Sequence, residues 1–126
     1  IVAIAKTCEK PWQYILEEPE THLHPAAHAE MAEFMVHEVS LDKHKQILVE
    51  THSLNFILRL RTLVAKNELD TNDLALYYVK YDEETGASSL KKVMVHEDGS
   101  VSDWPSDVFN ETYKEAVLLN NAQKNR

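Results

Sequence analysis

Two short apolar runs in this chain each break off into polar chemistry, and that repetition limits what it can fold into. Trp12–Leu16 runs into Glu17-Glu18-Pro19-Glu20, and Gln46–Val49 runs into Glu50-Thr51-His52-Ser53. Apolar runs of this length without alternation read as buried strands. Between them Ala27, Met31, Phe34, Met35 and Val39 recur at helical spacing, with His28, Glu30, Glu33 and His37 on the wet side. Pro25 suits the first position of that helix. The order strand, helix, strand predicts an α/β fold with its ligand at the carboxyl ends of parallel strands.

The rest of the chain fills in around this unit. Ser53 can cap a helix carrying Leu54, Ile57, Leu58 and Leu60. Leu74–Tyr81 and Leu90–His96 read as a hairpin closed by Asp82–Ser89, which holds Gly86. Glu97-Asp98-Gly99-Ser100 is a second turn, followed by Val101–Pro105, a short helix over Val108–Leu119 and a polar end expected to fray. Ile1–Glu9 reads as the tail of a helix stopped at Lys10-Pro11.

Composition excludes several classes. The formal charge of −8 argues against gripping a phosphate backbone over the whole surface. No apolar run approaches the roughly 18–20 residues that span a bilayer. Cys8 is the only cysteine, which rules out an internal disulfide or a cysteine cluster and fits a reducing, cytoplasmic setting; it reads as a small buried residue. The chain lacks an initiator Met and opens in mid-pattern, so it reads as a piece of a longer protein.

The strand ends suggest phosphate chemistry. A carboxylate at Glu17 can hold a hard cation such as Mg²⁺. Its neighbour Glu18 can orient or deprotonate an attacking water. His52 can donate a hydrogen bond to a transferring phosphoryl group. Together they have the makings of a nucleotide-hydrolysis half-site. The bland alternative is that the acids are solvated strand ends and His52 a helix-start residue. His22, His24 and His28 have the spacing of a zinc cluster, but His28 falls on the wet side of its helix and a physiological metal is not expected there. Glu50 beside Thr51-His52-Ser53 invites a Ser-His-acid reading, but adjacent residues seldom converge in that way. Trp104, Pro105 and Phe109 read as a packing cluster seating the tail, with an exposed partner patch as the alternative.

Tyr14-Ile15-Leu16-Glu17-Glu18-Pro19-Glu20-Thr21-His22-Leu23-His24-Pro25 resembles the Walker B strand and D-loop of ABC-type ATPases, closest to the overcoming-lysogenization-defect (OLD) and AAA-like branch. Ile47-Leu48-Val49-Glu50-Thr51-His52-Ser53 resembles that branch's switch-histidine strand, and Leu58-Arg59-Leu60-Arg61 continues the likeness. Asp98-Gly99, Asp103-Trp104-Pro105 and Phe109-Asn110-Glu111 resemble a small uncharacterised C-terminal domain found after such cores.

The resemblance implies a partial P-loop NTPase sheet lacking its Walker A strand, plus a β-hairpin and a short tail. It divides the chain into an ATPase portion over 1–96 and a tail domain over 97–126. It places Glu17 at the Mg²⁺-supporting acid and Glu18 at the catalytic glutamate. His22 and His24 fall in the D-loop that crosses to a partner subunit, His52 at the γ-phosphate switch, and Ser53 with the nucleotide-binding residues. Arg59 and Arg61 match the family string without an evident role; Glu20 or the tail are candidate partners.

The cofactors implied are ATP and Mg²⁺. The partners implied are a second copy across the nucleotide and DNA or another macromolecule, in DNA-related or phage-defence work; no membrane is implied. There is no G-x-x-x-x-G-K-[ST] phosphate loop, and the chain holds only Gly86 and Gly99. The alternatives are a degenerate ATPase serving as a scaffold, and a metal-dependent phosphoesterase or nuclease built on Glu17, Glu18 and the histidines. In the ATPase fold the missing strand would lie between Gln46–Val49 and Leu74–Tyr81. Unpaired edges there predict either closure of the gap in another strand order or self-association.

Overall fold

In the computed structural model, Trp12–Glu17 (β2) and Lys45–Glu50 (β3) pair in parallel, with Glu17 opposite Glu50. The structure describes residues 2–4, 12–42, 44–105, 108–109 and 111–124. The connection between β2 and β3 is the helix Pro25–Leu41 (α1), and its first residue is the expected proline. Leu54–Ala65 (α2) follows β3, with the Ser53 hydroxyl accepting the Phe56 N–H at 3.1 Å as its cap. Ala75–Asp82 (β4) and Ala87–Val95 (β5) form the expected antiparallel hairpin. Val101–Ser102 (β6) pairs with β5, and Glu111–Lys124 (α3) ends the chain.

The first strand corrects the helix expected over Ile1–Glu9. Val2–Ile4 (β1) is extended and lies between β3 and β4, antiparallel to both. The sheet order is β2-β3-β1-β4-β5-β6. β-Branched Val2 and Ile4 fit a pleated surface, and the N–H and C=O groups along β3 and β4 need partners. Tertiary demand therefore overrides a weak local helix preference. The edges of β3 and β4 expected to stand open are thus paired by β1. The rest of the expected helix tail, from Ala5 to Lys10 with Pro11, and Cys8 with it, lies outside the described residues.

Helices α1 and α2 pack on each other, α1 also contacts β3, and both helices share a core with the strands. The core joins Val49, Ile47, Leu76 and Val93 from the strands to Phe56, Leu60 and Leu63 of α2 and to Ala32, Met35, Val36 and Val39 of α1. β2 is not the strand buried on both faces that its composition suggested. It lies at the sheet's edge, and Tyr14 and Ile15 are exposed.

The apolar stripe of α1 is rotated from the expected one. Ala32 and Val36 are buried while Phe34 is 63 % exposed. Ala32 is small enough to let α2 approach, and His28, one turn before it, falls on the same side rather than the wet one. In α2, Leu54 and Leu58 remain exposed, and Phe56 is fully buried in their place. The final helix begins at Glu111, not Val108, and runs to Lys124, where fraying was expected; Val117, Leu118 and Leu119 along it are exposed.

The turn after β5 is seated on α2. Arg61 donates its Nε hydrogen to the Gly99 carbonyl at 2.8 Å. Gly99 has φ +75°, and a Cβ there would stand 2.5 Å from the Arg61 carbonyl oxygen. Gly86 also has a positive φ, but a Cβ there meets nothing within 4 Å. Gly99→Ala is therefore expected to cost roughly 2–4 kcal/mol, from left-handed strain plus overpacking. Gly86→Ala should cost only about 1–2 kcal/mol, from the strain alone. Urea unfolding of the two variants checks the difference; equal losses would mean that the contact with Arg61 carries no weight.

Candidate active site

The parallel pair delivers its polar ends to one place. Glu17 closes β2, is exposed, and stands in register with Glu50. The chain then turns sharply. Glu18 takes φ 42°, its N–H donates to the Glu50 carbonyl at 2.8 Å, and its own carbonyl accepts the Thr21 N–H at 2.9 Å. The left-handed backbone breaks strand alternation and directs the Glu18 carboxylate towards the end of β3. There its Oε1 lies 3.0 Å from His52 Nε2, with both side chains more than half exposed.

Beneath this exposed pair is a buried one. Glu20 is 8 % exposed, and its Oε1 accepts the Thr51 hydroxyl at 2.6 Å and the His52 N–H at 2.7 Å. Its Oε2 is buried without a partner among the described residues. Burial pushes the Glu20 carboxyl up, but the hydrogen bonds from Thr51, its own backbone and His52 outweigh it and hold the group below the ordinary carboxylate value.

His28 bridges the two segments. One ring nitrogen, Nε2, is 3.2 Å from the Leu23 carbonyl, and Nδ1 is 2.8 Å from the Ser53 hydroxyl. A carbonyl only accepts, so Nε2 carries the proton; in the neutral ring Nδ1 then accepts from Ser53. Ser53 N–H in turn donates to Thr51 Oγ1 at 3.0 Å.

Glu18, His22, His52 and Ser53 share the lining of a cavity of about 360 Å³ with Glu20 and His28. His24 is not part of it: its Nδ1 accepts the Ala26 N–H at 3.2 Å and caps α1. Nδ1 of His24 is taken by the Ala26 N–H, and both ring nitrogens of His28 are bonded within the chain, so nothing here favours the zinc cluster that the sequence reading sets aside. Among the described residues no three His, Cys, Asp or Glu side chains are gathered to hold a metal. Ser53 pairs with His28 rather than with His52, so the adjacent-residue triad does not form. Arg59 pairs with Glu33 at 2.6 Å and Arg61 with Gly99; neither reaches Glu20.

A second cavity, about 560 Å³, opens beside the first between Thr51-His52 and the middle of β4. Trp104 and Phe109 line it, with ring centroids 5.8 Å apart and planes at 26°. Both pack against the core, as the packing-cluster reading expects.

Residues 4–57 match the family model of an AAA ATPase domain. This is the stretch that carries β2, α1, β3 and the start of α2, and with them the whole Glu18–His52 site. The AAA ATPase match supports a general ATPase-like function for this part, with ATP and Mg²⁺ as the cofactors such domains generally use. Residues 69–119 match a second model, a protein of unknown function (DUF3696), which takes in the hairpin as well as the tail. Neither the curated proteins nor the solved structures return a match.

The residues present fit one side of such a cofactor. Glu17 and Glu18 offer carboxylate oxygens, hard donors that suit Mg²⁺ better than a soft metal, though the described residues gather no three such side chains into a closed metal site. The chain's two glycines both sit in turns of the β4–β5–β6 region, so no glycine-rich phosphate cradle accompanies the AAA ATPase match in this sequence. No helix among the described residues is long and apolar enough to cross a membrane.

Proposed function

We propose that this chain is the hydrolytic half-site of an ABC-type, OLD-like ATPase. The observation that carries the reading is the Glu18–His52 pair, 3.0 Å apart at the carboxyl ends of two parallel strands and open to a cavity. Glu18 orients the attacking water and draws off its proton. His52 donates to the phosphoryl oxygens as charge shifts on them. Glu17, exposed at the end of β2, is the residue that would hold Mg²⁺, which supplies charge neutralisation for the phosphoryl oxygens. His22 and His24 lie in the turn that the resemblance assigns to a partner copy. The complete protein is proposed to be cytoplasmic, to dimerise around nucleotide, and to couple hydrolysis to work on DNA or another macromolecule, with phage defence suggested only by analogy at family level. A scaffold that had lost hydrolysis would have no need to keep Glu18 and His52 in contact.

Titration of ATP with Mg²⁺ tests the division of labour. The 126-residue chain is expected to bind no tighter than about millimolar, because the backbone cradle that holds phosphates is absent from it. The full-length protein should hydrolyse ATP. Micromolar binding by the short chain would mean that the motif or its boundary is misread; a full-length protein without ATPase activity would refute the function.

A further inference from the structure

Glu20 is the one acidic or basic side chain buried with the described core. Taking a carboxylate out of water is costly unless strong donors hold it. Its donors here are Thr51 and His52, 31 and 32 residues along the chain, and they flank the peptide from which the His52 side chain springs. His28 grips the same loop from the other side through Ser53, while its second nitrogen is anchored on Leu23. The 18–28 segment therefore holds the 51–53 loop at two points. Joining β3 to α2 does not require this, since the Ser53 cap already starts the helix.

We infer that Glu20 and His28 are positioning residues. They fix the Thr51-His52-Ser53 loop so that the His52 imidazole stands against the Glu18 carboxylate. Neither touches the reacting atoms: Glu20 acts through the His52 N–H, and His28 through the Ser53 hydroxyl. The inference rests on the hydrolytic reading of Glu18 and His52.

In the full-length protein, Glu20→Ala should lower kcat about 10- to 100-fold, the order expected from a misplacement near 1 Å, and shift KM for ATP less than about threefold. Glu20→Gln keeps an oxygen for the two donors and should recover part of the loss. Hydrogen exchange of peptides covering 50–56 should quicken in Glu20→Ala, with the β4–β5 hairpin unchanged. Where Glu20→Ala fails to fold, Thr51→Val removes one donor only and is read by the same split between kcat and KM.

A folded variant with wild-type kcat, or with unchanged exchange over 50–56, overturns the positioning role. The two readings fail differently. Active wild type, inactive Glu18→Gln and a fully active Glu20→Ala sink this inference alone, whereas an inactive wild type sinks both.

Discussion

Glu18→Gln is expected to reduce ATP turnover of the full-length protein by about 10²- to 10⁴-fold, the range over which a positioned general base contributes. The substitution preserves shape, and the amide oxygen can still accept from His52 Nε2, which lies 3.0 Å from the present carboxylate. What is lost is the capacity to take a proton from water. Nucleotide binding should survive, because the substitution keeps the shape of the side chain and alters no backbone N–H that could hold phosphate. A protein that binds ATP and cannot cleave it should also accumulate as the nucleotide-bound dimer. Steady-state turnover, nucleotide affinity and sedimentation with ATP read the three consequences. Wild-type turnover would remove Glu18 from the mechanism.

His52→Ala should lower turnover by roughly 10²- to 10³-fold, the loss typical of removing one donor to a developing negative charge. Nucleotide affinity should fall much less, since the interaction strengthens only as the phosphoryl group begins to move. The side chain of His52 is 77 % exposed. Truncating an exposed side chain generally changes stability by no more than about 0.5 kcal/mol. Thermal unfolding should therefore leave the midpoint near the wild-type value while activity collapses. A large drop in midpoint with full activity per folded molecule would make His52 a structural residue instead.

The elements that local pattern controls were legible in the sequence. Proline at position 25 starts α1, Ser53 caps α2, and the β4–β5 hairpin closes near Gly86. The strand ends were legible too, because carboxylates and a histidine stand out after apolar runs, and the structure brings Glu18 and His52 together. The state of residues 2–4 was not legible. It depends on edges presented by β3 and β4, more than forty residues away. The face of α1 that is buried was also hidden: Phe34 looks like core on composition, but Ala32 is the residue that lets α2 come close. Glu20 and His28 escaped for a similar reason. A glutamate after proline has the appearance of a solvated turn, and nothing local reveals donors at Thr51 and His52. The one available signal for His28 was its four-residue spacing from Ala32.

The left-handed backbone at Glu18 sets stability against chemistry at a single position. Only glycine, and to a lesser degree asparagine or aspartate, adopts φ 42° without penalty. A chain selected for durability alone would drift towards glycine there, relieving the strained turn and losing the proposed proton acceptor in the same step. If Glu18 takes the proton as proposed, consensus-style or directed stabilisation of this protein should leave position 18 fixed, because glycine there would relieve the turn and remove the acceptor together.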